Sequence, residues 1–218
     1  MLRSPTVRLL SYVVLLLLAG TMIVPLWSVV ATSFTTKYAS LQPGIIAWPD
    51  PFSLEGYVTL FNRLSFLVPF SNTIVVTVAG TTLHVLLAAL GGYVLAQENL
   101  PGRRIIAGII LLTLTIPSHV ILVPLFVVFK QLHLLNTLLS LIVSNLVSAF
   151  SILLMKTYFE QVPKPLIESA RIDGASTFAL SRDFYAPLAL PGIVTVAAFQ
   201  MVYRYNMFIE PLLYINDP

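Results

Sequence analysis

The densest run of ionisable residues lies between positions 160 and 183, and its spacing suits docking rather than catalysis. Pro165 fits the first turn of a helix. Gly174, after Asp173, can take the left-handed conformation at a helix end. Ser176 can cap a second short helix, and Pro187 stands where that helix gives way to an apolar run. On the first helix Leu166, Ile167 and Ala170 share one face, with Glu168 and Arg171 on the other. A short amphipathic helix of this kind has two docks, a lipid surface or a groove on a partner protein, and the residues alone leave both open. Enzymatic signatures are missing. The sequence has no Cys, which excludes thiol chemistry and Cys-ligated metal, and no G-x-x-x-x-G-K-[ST], H-E-x-x-H or G-x-S-x-G.

A second group of polar residues interrupts apolar surroundings. Ser140, Ser144 and Ser148 recur four apart, with Asn145 among them. On a helix that spacing makes one face, which either packs closely against a neighbour or lines a polar pathway. Ala88, Gly92 and Ala96 form a similar ridge. His84 lies inside an apolar segment, a functional candidate or a neutral ring bonded to a neighbouring helix. Pro117 and Pro124 predict a kink or an early end in the segment that holds them. The apolar segments contain no Asp or Glu, which argues against coupling to a proton or sodium gradient.

The elements that must position these residues are set by composition. Of 218 residues 57% are hydrophobic and only 10% charged, against about a quarter charged in ordinary soluble domains. A soluble fold of this length could not hide so much apolar surface. The net charge of +3 offers no basic face for nucleic acid. Five charge-free apolar segments, at residues 9–31, 72–96, 105–129, 138–155 and 184–203, approach the ~20 residues that cross a bilayer as a helix. The first follows Arg3 and Arg8 as a signal peptide would, but it runs on past Pro25 and Trp27 with no small-x-small cleavage site, so a retained helix is expected. The expected fold is all-α, a single polytopic transmembrane bundle over residues 1–218, with a short cytoplasmic helix between spans four and five.

Orientation follows from the positive charges. Arg3, Arg8, Arg103, Arg104, Lys156, Lys164, Arg171 and Arg182 lie on one side, and Lys37, Arg63, Lys130 and Arg204 on the other. The excess places the N-terminus, the Arg103-Arg104 loop and the 160–183 loop in the cytoplasm. The long loop at 35–67, with Pro43-Gly44 and Trp48-Pro49-Asp50-Pro51, then faces outside.

The run Glu168-Ser169-Ala170, then Gly174, then Pro187, resembles the E-A-A…G…P signature of permeases in binding-protein-dependent ABC importers. Arg171-Ile172-Asp173-Gly174-Ala175-Ser176 has the form of the carbohydrate, maltose-permease-like type. The similarity extends through Asn72, Gly92-Tyr93, Leu100-Pro101-Gly102-Arg103, Ile116-Pro117, Leu122-Val123-Pro124-Leu125, Leu135-Asn136-Thr137, Tyr158-Phe159, Val162-Pro163, Asn206, Pro211-Leu212 and Asn216-Asp217-Pro218. Ser169 replaces the usual Ala. Tyr205 and Met207 flank Asn206 where the family commonly has Trp and an acid.

The resemblance implies a multi-pass subunit of the bacterial inner membrane, not an enzyme, with no cofactor or metal. Its implied partners are cytoplasmic ATP-binding subunits, a second permease subunit as a heterodimer, an extracytoplasmic solute-binding protein and the lipid bilayer. It implies that Glu168, Ser169, Ala170, Asp173 and Gly174 form the contact with an ATPase, Glu168 pairing with a basic group there. Closure of the ATPases around ATP would tilt the loop and switch the pathway from inward- to outward-facing. Ser140, Ser144, Asn145, Ser148 and Asn206 are the pathway candidates. The implied cargo is a sugar or related solute; a polyol or glycerol-phosphate importer and a non-transporting membrane scaffold are the alternatives. Related permeases carry a sixth span, so a further span beyond Pro218 is expected.

Overall fold

The computed structural model describes residues 5–63 and 66–216. Arg3, and Asp217 and Pro218 of the terminal Asn216-Asp217-Pro218 run, lie outside the described residues. Two compact units divide the chain, Met1–Pro69 and Phe70–Pro218. Among the described residues every element is helical apart from an isolated antiparallel bridge between Thr35 and Phe52. The expected all-α class is what forms.

In the first unit the apolar run becomes one helix, α1 (Pro5–Ser33), long and apolar enough to cross a membrane. The loop after it folds back on its C-terminal end. Trp27 Nε1 donates to the Ala47 carbonyl at 2.7 Å, and the Phe34 ring stacks on Phe52 with centroids 5.6 Å apart. Two short helices sit in this loop, α2 (Lys37–Ser40) and α3 (Glu55–Arg63). Thr36 caps α2 by accepting from the Ala39 amide.

The second helix of spanning length is α4 (Leu67–Ala96). The small-residue ridge on it is a packing face. A Cβ on Gly92 would lie 2.6 Å from Met155 Cβ and 2.7 Å from the Lys156 amide nitrogen, so α4 approaches α8 (Ala149–Glu160) to backbone distance. Ala88, Met155, Phe159, Ala189 and Val196 form the core around that contact. A second core joins Val76, Phe129, Leu141 and Tyr214.

The remaining apolar segments are broken rather than continuous. Segment 105–129 divides into α5 (Arg103–Thr113) and α6 (Ser118–Gln131), with Pro117 as the N-cap of α6. Proline has no N–H and disfavours helical geometry in the residue before it, so the early end expected at Pro117 occurs, while Pro124 stays inside α6. Segment 138–155 also divides, into α7 (Leu138–Val143) and α8, although Ser144-Asn145-Leu146-Val147-Ser148 contains neither Pro nor Gly. The expected serine ridge is therefore corrected: Ser140 lies in α7, Ser144 is its C-cap and Ser148 is the N-cap of α8. The last apolar segment is entered through α10 (Thr177–Leu180), a π-helical turn (Ser181–Tyr185) and α11 (Ala186–Leu188), and continues as α12 (Leu190–Tyr205) after a bend of 74°. Pro191 cannot donate back to the Pro187 carbonyl, which ends the helical ladder at Ala189. A final short helix, α13 (Ile209–Tyr214), completes the described chain.

Candidate functional site: the coupling loop and the polar cavity

The helix read from Pro165 to Asp173 is α9 (Lys164–Ile172), and Asp173 is its C-cap. Its end is a complete Schellman motif. The Gly174 amide donates to the Arg171 carbonyl at 3.0 Å and the Ala175 amide to the Ala170 carbonyl at 2.9 Å. Gly174 has φ +87°, the left-handed region that a Cβ disfavours. Ser176 then caps α10, accepting from the Ala179 amide at 3.2 Å.

Ile167 and Ala170 are buried with Val162 and Leu180, against Ala175, Phe184 and Tyr185. Leu166 is 41% exposed and stands outside this small core. Glu168, Ser169, Asp173 and Gly174 are exposed. Four of the five sequence-derived coupling residues thus share the outer surface of the loop, and Ala170 lies beneath them. Its small side chain lets α9 settle on α10.

Tyr185 joins this local core to the bundle. Its ring packs edge-on against Tyr93 of α4, with centroids 5.1 Å apart, and against Phe159 of α8 at 6.0 Å. Polar contacts make a second tie. Lys164 of α9 pairs with Glu98, in the turn after α4. That hydrogen bond and charge hold the Glu98 carboxyl below the usual carboxylate range. Arg103 pairs with Glu160, which also accepts from Lys156 at 2.9 Å. Between these contacts and α9 lies a cavity of about 430 Å³ whose wall includes Glu98, Arg103, Glu160, Glu168, Arg171 and Tyr185.

The pathway candidates converge only in part. Ser144, Asn145, Ser148 and Asn206 line a second cavity of about 830 Å³, together with His119, Tyr203 and Glu210. The Tyr203 hydroxyl donates to Glu210 at 2.6 Å. Ser140 is absent from that wall. It is fully buried, and its hydroxyl donates to the Thr137 carbonyl at 2.8 Å.

The group that organises the break beside this cavity was not among the sequence candidates. Arg204 was counted as a charge on the outer side, yet it is 2% exposed. Its guanidinium donates to the carbonyls of Leu141, Ile142 and Asn145, each at 3.0 Å. The Asn145 carbonyl also receives His84 Nδ1 at 2.9 Å and Gln200 Nε2 at 3.4 Å. His84 Nε2 lies 2.8 Å from the Ser151 hydroxyl. A carbonyl can only accept, so Nδ1 carries the proton and Nε2 of a neutral ring can accept from Ser151. Of the two sequence readings, the geometry matches a His84 whose ring is bonded to a neighbouring helix. Exposure was the missing signal for Arg204, since a segment end gives no sign of which way an Arg points.

The family described as binding-protein-dependent transport system inner membrane component matches residues 85–218, which include the whole α9–α10 turn and both cavities. The chain belongs to this family, whose members are the inner-membrane permeases of ABC importers. It is 32% identical over 209 residues to the polygalacturonan/rhamnogalacturonan transport system permease protein YtcP of Bacillus subtilis, covering 96% of this chain and 72% of the relative. It is 31% identical to the diacetylchitobiose uptake system permease protein NgcG of Streptomyces coelicolor, over 95% of this chain and 69% of the relative. The crystal structure of a bacterial ABC transporter involved in the import of the acidic polysaccharide alginate superposes with a TM-score of 0.87 at 25% identity. That alignment covers all of this chain and 78% of the other.

Proposed function

We propose that this chain is a pathway-forming permease subunit that imports an oligosaccharide or related sugar and couples to a cytoplasmic ATPase through Glu168, Ser169, Asp173 and Gly174, with Ala170 as the packing support beneath them. The observation that carries the reading is the α9 turn. A rigid, capped helix presents an exposed carboxylate within the family-matched region, and is tied at its root to α4 and α8 by Tyr185. A helix held this way transmits a push from a partner's groove to the bundle instead of absorbing it.

In this reading Glu168 pairs with a basic group on the ATPase. A second permease subunit completes the pathway, and an external solute-binding protein delivers cargo on the side of the 35–67 loop. The N-terminus and α9 face the cytoplasm, as the charge asymmetry supports. Ser144, Asn145, Ser148 and Asn206 supply hydroxyl and amide groups suited to a polyhydroxylated solute. The carbohydrate systems named for the relatives support a sugar as the cargo.

The test is uptake by proteoliposomes holding this chain with the permease, ATPase and binding protein encoded beside it, over a panel of neutral and acidic oligosaccharides, polyols and glycerol phosphate. ATP-dependent uptake of an oligosaccharide is the expected result. Uptake of a polyol or glycerol phosphate alone would overturn the sugar assignment. Binding-protein-stimulated ATP hydrolysis that persisted without this chain would overturn the coupling role.

A further inference from the structure

The break between α7 and α8 has local caps, the Ser144 hydroxyl donating to the Leu141 carbonyl at 2.9 Å and Ser148 accepting from the Ser151 amide at 3.5 Å, but the buried charge that holds it open comes from far away in sequence. The Leu141 and Ile142 carbonyls, which a continuous helix would give to amides four residues later, are taken by Arg204. The space for the guanidinium is built in: a Cβ on Gly80 would collide with the Arg204 guanidinium carbon and nitrogens. Gly80 and His84 are one turn apart on α4, as Gln200 and Arg204 are on α12. Two helices thus present polar groups from successive turns to one broken corner.

Among the described residues Arg204 finds three carbonyls there and no carboxylate. An ion pair would neutralise the charge more fully. A fan of carbonyls instead fixes the backbone that supplies them, in the manner of a cation at a helix C-terminus. A buried cation among membrane helices is costly, and ordinary packing does not require one. What lies directly beyond the corner is the wall of the 830 Å³ cavity, with Ser144, Asn145 and Ser148.

We infer that Arg204 is a positioning residue of the translocation pathway: seated over Gly80, it holds the Ser144–Ser148 corner out of helical geometry so that these side chains face the cavity. This rests on the reading of that cavity as the pathway. With the guanidinium removed, the freed carbonyls return to amides of their own chain, the helix extends into the corner, and Ser148 turns away.

The experiment uses the assembled transporter, in which this chain has no native Cys. Ser148→Cys is reacted with a membrane-impermeant, hydrophilic maleimide in the otherwise unaltered chain and with Arg204→Met, Arg204→Lys or Gly80→Ala. The expected result is a labelling rate lowered roughly tenfold or more by Arg204→Met, the scale of losing a charge-assisted hydrogen bond. Gly80→Ala, which displaces the guanidinium but keeps its charge, should lower the rate in the same direction. Arg204→Lys should recover part of it, because an ammonium still reaches a carbonyl. Unchanged labelling in Arg204→Met would overturn the inference. So would failure of both Arg204→Met and Gly80→Ala to assemble, which would make Arg204 a folding residue only. Absence of labelling in the otherwise unaltered chain would instead refute the pathway reading, and the inference with it.

Discussion

Gly174 is the position where the proposed coupling loop can be perturbed with least ambiguity. At φ +87° it is in the left-handed region, and nothing lies within 4 Å of where a Cβ would go. A substitution therefore introduces backbone strain with no clash among the described residues. That strain is about 1–2 kcal/mol for an ordinary L-residue, and a β-branched side chain lies at or above the upper end. Against it stand the two Schellman hydrogen bonds to Arg171 and Ala170, each contributing about 1 kcal/mol. Gly174→Ala should leave the turn largely formed, with the ratio of formed to unformed turn lowered about fivefold from about 30, while Gly174→Val should lower that ratio roughly 30-fold, so that about half of the docking-competent population is lost. Gly174→Asn should be milder than either, because Asn tolerates this region. Retention of the ATPase through detergent purification and binding-protein-stimulated ATP hydrolysis both read that population. Gly102, at φ +71° and equally open, is the internal control; Gly102→Val strains a loop outside the signature and should leave retention unchanged. Wild-type retention and hydrolysis in Gly174→Val would refute the reasoning, as would losses that ignored the order Asn, Ala, Val.

Reversing the exposed charge with Glu168→Lys should abolish stimulated hydrolysis at normal membrane levels, while Ser169→Ala, a change at the loop surface, should be nearly silent; the same two assays decide both. Gly92→Leu should lower thermal stability by about 3 kcal/mol or prevent assembly, since Met155 Cβ and the Lys156 backbone cannot move aside; Gly108→Leu, with open space around it, should melt like the wild type. Labelling of single Cys probes should find Ser176→Cys reactive only from the cytoplasm and Ser53→Cys only from outside, and the reverse pattern would invert the topology. The Lys164 hydrogen bond lowers the Glu98 pKa, so this tie is complete above the usual carboxylate range and is lost as pH falls through the lowered value. Stimulated hydrolysis should therefore be insensitive to this pair near neutral pH, and Glu98→Gln, which imitates the acid state, should change it little because both side chains are largely exposed.

The parts that were legible from sequence are those whose causes are local. The α9 turn could be read because Asp173, Gly174 and Ser176 supply its stop and restart within four residues. The end of α5 could be read from Pro117. The continuous spans α1 and α4 followed from length and the absence of charge. The break at 144–148 was not legible, because Ser144 and Ser148, which cap it locally, fit a continuous helix equally well, and the other groups that hold it, His84 and Arg204, are some sixty residues away on either side. The same cause hid the burial of Arg204: charge counting assigns an Arg to a side of the membrane without saying whether it is solvated, and this one is turned inward. Ala170 shows a subtler limit. Its small size could be seen, but whether that smallness served a partner or the chain's own α10 depended on which face was buried.

The dependence of the broken corner on Arg204 has a consequence for biosynthesis. The chain enters the membrane from its N-terminus, so residues 138–160 reach the bilayer before Arg204 does. At that stage the Leu141, Ile142 and Asn145 carbonyls have no guanidinium to receive, and the bilayer offers no water, so the segment's favourable state is an unbroken helix. The corner must then be created after insertion, when α12 brings Arg204 in beside Gly80 and exchanges backbone amides for its own donors. The cavity wall is in that sense a late product of assembly, formed in a membrane already occupied by its surroundings. Its completion marks the point at which α4, α7 and α12 have found one another.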